Sequence, residues 1–172
     1  QLNSGKPLFE AELDVSDVIS TFRYYADYVL TLKNETDVEL PSQEFSATLR
    51  KEPIGATVLI MPWNFPMVTT SWKLAPALAA GCTVILKPSE ITPIAEIALM
   101  RLIASAGLPN GVVNLVTGSG ADIGDALISH PDVNKISFTG SNKVGQHIMR
   151  QASRGIKSVS LELGGKSSLI VL

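Results

Sequence analysis

Five short stretches carry side chains whose types and spacing could do chemistry: Pro62-Trp63-Asn64-Phe65-Pro66, Lys87-Pro88-Ser89-Glu90, Gly118-Ser119-Gly120, Phe138-Thr139-Gly140-Ser141 and Glu162-Leu163-Gly164-Gly165-Lys166. In the second, a cation and a carboxylate three residues apart could hold two adjacent ribose hydroxyls, the lysine donating and the glutamate accepting. The same spacing also suits a surface ion pair. Phe138-Thr139-Gly140-Ser141 runs into a helical pattern and offers backbone N–H groups and a hydroxyl at a helix start, a generic phosphate site, although such turns also arise for structural reasons alone. Gly118, Gly120 and Gly124 miss the G-x-G-x-x-G spacing by one residue, so the ordinary dinucleotide fingerprint is absent and the glycines equally suit a turn. Asn64 sits between two prolines that fix the backbone on either side, so its amide is either a donor for a developing oxyanion or a buried turn amide. Glu162 precedes a Gly-Gly pair about which a carboxylate could swing, or it is an exposed charge.

Each stretch follows a short apolar run, and in an open α/β sheet ligands bind beyond the carboxyl ends of the strands, which places all five on loops at the binding edge. The runs Thr57–Met61, Thr83–Leu86, Val112–Val116, Lys135–Phe138 and Ser168–Leu172 alternate with helical patterns near Trp72–Ala80, Pro93–Ala106, Ala121–Ser129 and Lys143–Gln151. Strand and helix at this rhythm predict an α/β fold: an open, parallel, Rossmann-like sheet with helices on both faces. Pro93–Ala106 has only Glu96, Arg101 and Ser105 as clearly polar positions, which predicts a helix largely buried against the sheet or a partner, between the start and stop residues Pro93 and Gly107.

Upstream, Val18, Ile19, Phe22, Tyr25, Ala26, Val29 and Leu30 form one stripe of an amphipathic helix over about Val15 to Leu32, with Asp14 and Asp17 available to cap its start. Lys33 to Gln43 is polar and turn-like, and Phe45 to Lys51 alternates as an edge strand would. The boundary falls near residues 48–53. Residues 1–52 make a helix and a bridging strand segment, and residues 53–172 make the sheet domain.

The 172 residues, 45% hydrophobic and 17% charged, suit one globular domain and part of another. The apolar runs fall far short of the roughly 20 residues of a membrane span, and no signal pattern opens the chain, which points to a soluble, cytoplasmic protein. A net charge of −2 without a basic run leaves no footprint for nucleic acid. Cys82, the only cysteine, can make neither an internal disulfide nor a cysteine metal site, and no metal is expected. Gln1 and the apolar ending Leu169-Ile170-Val171-Leu172 both look like cut ends.

It is the set that is specific. Taken in this order and at these separations, with Ala75-Pro76-Ala77-Leu78-Ala79-Ala80-Gly81-Cys82 beside them, the motifs resemble the aldehyde dehydrogenase superfamily from about Gly5 to the last residue. Pro62-Trp63-Asn64-Phe65-Pro66 and Leu161-Glu162-Leu163-Gly164-Gly165-Lys166 are near-diagnostic of that family. The resemblance implies a reaction in which a cysteine thiolate attacks an aldehyde, a hydride passes to a nicotinamide, and water hydrolyses the thioester. Asn64 would then stabilise the oxyanion, Glu162 would be the general base, and Lys73 would relay protons from it. Lys87, Ser89 and Glu90 would hold the adenosine ribose, Gly140 and Ser141 the pyrophosphate, and Val144 the adenine. Ile60, Met61, Pro62 and Trp63 would border the nicotinamide side, with Gly120, Gly124, Phe138, Thr139, Glu162, Leu163 and Gly164 completing the cofactor site. Phe65, Met67, Thr69 and Trp72 match substrate-tunnel positions.

The implied cofactor is NAD, with NADP as the alternative, and the implied partners are a small-molecule aldehyde and further copies in a homodimer or homotetramer. The family's nucleophile follows the Gly-Gly-Lys motif further along, where this chain has only Ser167 to Leu172. Cys82 cannot replace it, because it precedes a strand at the end opposite Lys87. The chain alone is therefore expected to lack aldehyde oxidation and to belong to a longer parent. The stretches Ser4-Gly5-Lys6-Pro7-Leu8 and Tyr24-Tyr25-Ala26-Asp27 resemble the betaine-aldehyde and aminoaldehyde branch, although Phe65 stands where a tyrosine is often found there. The competing class is a non-catalytic nucleotide-binding or interaction module that keeps Lys87, Glu90 and Ser141 without the chemistry.

Overall fold

The β-branched and aliphatic runs pair as parallel strands because each is followed by a helix long enough to carry the chain back to the same edge. The structure, a computed structural model, describes residues 1–42 and 44–171. Five strands, β3 (Ala56–Ile60), β4 (Thr83–Lys87), β5 (Val113–Leu115), β6 (Val133–Gly140) and β7 (Ser158–Leu163), form a parallel sheet in the order β5-β4-β3-β6-β7. The chain winds outward from β3 to β5 on one side, then crosses back and winds outward through β6 to β7 on the other. The winding reverses between β3 and β6, and a crevice forms there at the carboxyl ends.

Helices cover both faces. On one, Val58, Ile136 and Phe138 pack with Ile128 of α4 (Gly120–Ser129) and with Ile148 and Ala152 of α5 (Asn142–Ser153). On the other, Leu59, Val84, Leu86 and Val113 pack with Leu74 of α2 (Pro66–Ala79) and Leu99 of α3 (Ile94–Ser105). This second core ends at β3. Beyond it the same face of β6 and β7 presents Lys135, Ser137 and Thr139 in register with Ser158, Ser160 and Glu162. Two opposite sheet faces thus share their strands, one keeping an apolar core across β3, β6 and β7 and the other turning polar at the site.

Several expectations are corrected. The first helix, α1, runs from Leu8 to Val29, with Pro7 at its N-cap. Asp14 does not cap it and instead pairs with Lys6 at 2.6 Å from within the helix. Of the predicted stripe only Val18 is buried, with Phe22 packed part-buried into the core beside α2, while Ile19 and Val29 are exposed. The segment expected to be turn-like contains a strand, β1 (Glu35–Val38), paired antiparallel with β2 (Ala47–Arg50), where Glu35 meets its partner Arg50 at 2.6 Å; Gln43 lies outside the described residues. The last strand is not at Ser168–Leu172: residues 168–171 have no strand, Leu172 lies outside the described residues, and β7 takes that place in the sheet. No described helix is long and apolar enough to cross a membrane.

The third helix departs most from its pattern. Within this chain Ile94, Ile97 and Leu102 are exposed, and the inward residues of the helix are Leu99 and Glu96, the latter fully buried. Thr70 of α2 donates to Glu96 Oε1 at 3.2 Å, and Oε2 has no partner among the described residues. Burial raises the carboxyl above its ordinary value, opposed by its own backbone N–H and by Thr70. A carboxyl raised on folding contributes its stability below the ordinary carboxylate range, and that contribution is lost as pH rises through the raised value. Glu96→Gln keeps the Thr70 bond without the charge. In the full-length protein it is expected to raise the melting temperature at pH 8 and to change it little at pH 4, each unit of pKa elevation being worth about 1.4 kcal/mol. Thermal scans of both forms across pH check this.

Candidate active site

The carboxyl ends of β3, β4, β6 and β7 gather most of the residues singled out from the sequence. Lys87 ends β4 with its side chain buried, and its ammonium donates to the Pro88 carbonyl and to Glu90 Oε2, both at 3.2 Å. Glu90 is half exposed, and its own backbone N–H, then the Lys87 ammonium, then the Gly120 N–H hold its carboxyl below the usual range. Ser89 is buried, and its hydroxyl accepts from the Ile91 N–H at 3.3 Å. A donor and a half-exposed acceptor therefore lie side by side, the set that vicinal hydroxyls need.

Ser141 is the N-cap of α5, its hydroxyl accepting from the Val144 N–H, and the exposed Val144 offers an apolar surface one residue inside the first turn. Two glycines let these elements close up. A Cβ on Gly140 would stand 2.5 Å from the Phe138 ring, and one on Gly145 would stand 2.7 Å from Leu163 Cδ2. Gly120 and Gly124 lie in the first turns of α4. Gly164 follows β7 with open space where a Cβ would be. Ile60 ends β3, Met61 is buried and donates its N–H to the Lys87 carbonyl at 3.1 Å, and Trp63 is largely exposed. Pro62 is half-buried between them.

On the polar side of the sheet a cavity of about 1020 Å³ is lined by Asn64, Phe65, Thr69, Trp72 and Lys73 from the β3–α2 loop and α2, and by Lys135, Ser137, Thr139, Ser160 and Glu162 from β6 and β7. Asn64 Oδ1 accepts from the Phe65 N–H at 3.1 Å, so the amide nitrogen is left as the donor. Lys6 reaches over from the start of the chain, its ammonium 3.5 Å from the centroid of the Phe65 ring. Thr69 donates to the Phe65 carbonyl at 2.7 Å, fastening the loop to the helix that follows. Lys73 donates to Ser137 at 2.9 Å. Burial lowers its pKa, Lys135 adds to the lowering, and Glu162 opposes it.

Two placements differ from the sequence reading, and Cys82 lies where that reading puts it. Glu162 lies within β7 rather than on a loop, as do Phe138, Thr139 and Gly140 within β6. Met67 packs against the core beside Leu74 rather than lining the cavity. Cys82 is buried just before β4, at the end opposite Lys87, and it lines the far part of the same cavity. Lys6, Lys135 and Ser137 were not singled out. The strict alternation of Ser158 to Leu163 and of Lys135 to Phe138 was the signal that could have found the polar sheet face.

Sheet order, reversal point and terminal loops define a doubly wound, Rossmann-like α/β domain with a cavity over one sheet face lined by an amide, a carboxylate and two lysines. The aldehyde dehydrogenase family model matches residues 1–172, and the chain belongs to that family. It is 52% identical to betaine aldehyde dehydrogenase 1 of Oryza sativa subsp. japonica, over 99% of this chain and 34% of that protein. It is 49% identical to the peroxisomal aminoaldehyde dehydrogenase 1 of Pisum sativum, over the same shares. A crystal structure of betaine aldehyde dehydrogenase from Staphylococcus aureus in complex with NAD+ superposes with a TM-score of 0.92 at 39% identity, covering 95% of this chain and 32% of that one. The chain thus spans about a third of the length of the relatives it matches.

Proposed function

We propose that this chain supplies the cofactor-binding half and the general base of an NAD(P)-dependent aldehyde dehydrogenase that oxidises an aldehyde to a carboxylic acid. The observation that carries this reading is that Asn64 and Glu162, from opposite ends of the domain, line one cavity beside Lys73. An amide donor suits an oxyanion, and a carboxylate facing the same space suits removal of a proton from a thiol or a water. The nucleophilic thiol belongs to the remainder of the full-length protein, since Cys82 is buried. The division at residues 52 and 53 belongs to the same proposal, as does assembly into a homodimer or homotetramer in the cytoplasm.

The residues present fit a dinucleotide. Lys87 and Glu90 would take the adenosine ribose, Ser89 would support that turn, Gly120 and Gly124 would let α4 approach, and Phe138 to Ser141 would receive the pyrophosphate with Val144 against the adenine. Ile60 to Trp63 and Leu163 to Gly164 would border the nicotinamide end, with Phe65, Thr69 and Trp72 shaping the substrate path. When bound, NAD+ supplies the hydride acceptor. The similarity to betaine aldehyde and aminoaldehyde dehydrogenases supports a small aldehyde bearing a cationic or amine group. Reduction of NAD+ by the full-length protein with betaine aldehyde and with ω-aminoaldehydes tests the reading. Cofactor binding without turnover of any aldehyde would favour a non-catalytic nucleotide-binding module instead.

Glu90 also sets an expectation for the cofactor. Its carboxylate, held ionised by the Glu90 and Gly120 N–H groups and by Lys87, would face the 2′-phosphate of NADP+. Like charges about 4 Å apart repel by about 1 kcal/mol in bulk water and by more near a protein surface, so NAD+ is expected to bind about ten-fold tighter or better. Titration of the full-length protein with both cofactors checks it, and tighter NADP+ binding would remove Glu90 from the ribose site.

A further inference from the structure

The polar face of β6 and β7 holds a second lysine that the proposed chemistry does not use. Lys135 lies two residues before Ser137 on the same face of β6, and its ammonium donates to Ser160 Oγ at 2.8 Å and to Ser158 Oγ at 3.2 Å. Ser137 and Ser160 are register partners, and Ser137 is the hydroxyl that receives Lys73. Hydroxyls on neighbouring strands therefore stand between the two ammonium groups, and both lysines line the cavity with Glu162. A pinned ammonium on a sheet face normally finds a carboxylate. Among the described residues this one is held by hydroxyls alone, so its charge is left to act on its neighbours.

We propose that Lys135 is a positioning residue for Lys73, fixing the serine ladder on which Lys73 docks and presenting a second positive charge to it across the polar sheet face. This rests on the reading above, in which Lys73 exchanges protons beside Glu162. The charged groups that face Lys73 are Lys135 from β6, Glu162 from β7, Asp14 and Asp17 from α1, and Glu52 from the segment before β3; Asp14 is engaged by Lys6. Burial and Lys135 both favour the uncharged amine, and Glu162 favours the ammonium. Removing Lys135 leaves Glu162 with less opposition, so Lys73 holds its proton to higher pH.

The test is the pH dependence of acetylation of Lys73 by acetic anhydride in the full-length protein, read by peptide mass spectrometry and needing no activity. Lys135→Met is expected to move the Lys73 midpoint upward by about half a unit to one unit, the low end of what a like charge does to a neighbour. Lys135→Arg, which keeps the charge, is expected to restore it. Ser160→Ala, which loosens the pin, is expected to give a smaller upward shift and serves if Lys135→Met does not fold. An unmoved midpoint in Lys135→Met, or in Ser160→Ala where the former does not fold, overturns the proposal, as does failure of Lys135→Arg to restore it. Turnover separates this from the enzymatic reading. A shifted midpoint in a protein that oxidises no aldehyde upholds the coupling and ends that reading, whereas normal turnover with an unmoved midpoint does the reverse.

Discussion

Glu162→Gln in the full-length protein is expected to lower aldehyde turnover by about 10²–10⁴-fold, the usual contribution of a positioned general base. The substitution keeps the size and the hydrogen-bonding reach of the side chain and removes only its basicity. Glu162 pairs in register with Thr139 and faces the cavity rather than the crevice that Lys87, Glu90 and Ser141 border, so affinity for NAD+ should stay close to that of the parent. Raising the pH should recover part of the rate, because thiolate and hydroxide then form without help. Steady-state rates across pH, with cofactor titrations beside them, check this, and wild-type turnover in Glu162→Gln would remove the base assignment.

Asn64→Ala is expected to cost about 10²–10³ in kcat, the effect of losing one oxyanion donor in comparable acyl-transfer sites. The structure gives the amide a defined direction: its oxygen is occupied by the Phe65 N–H, and the loop carrying it is held by Lys6 on the Phe65 ring and by Thr69 on the Phe65 carbonyl. Alanine leaves the loop backbone in place and removes the donor, and no change in pH supplies another. The two variants are thus distinguished by alkali, which should help the first and not the second. Rescue of Asn64→Ala alone would show the two roles to be assigned the wrong way round.

The parallel α/β architecture was legible because β3 and β4 are concentrated apolar runs and β6, though alternating, keeps Ile136 and Phe138, each strand being followed by a helical pattern. β7 was not, since Ser158, Ser160 and Glu162 dilute it to half-apolar alternation, and the denser run at residues 168–171 drew the assignment away. Helix α3 shows a second limit. Apolar periodicity tells which residues avoid water, but not which face the fold covers, and here Glu96 is inside while Ile94 and Leu102 are outside. The start of α1 was misplaced because Asp14 has the composition of a cap, whereas its partner is the Lys6 ammonium. At the site, the motifs identified the residue types, but their sorting into a crevice and a cavity on a different side of the sheet depends on strand register. Lys135 and Ser137 became visible only through that register.

The contact between Gly145 and Leu163 has a mechanical consequence. Leu163 is the residue after Glu162, and its side chain occupies the space that any Cβ at position 145 would need. The helix that Ser141 caps and the strand that carries the carboxylate therefore pack closely at this point. A change that tilts α5, including one far from the chemistry, would be transmitted to the end of β7. On the proposed reading, nucleotide grip and base alignment would then be inherited together.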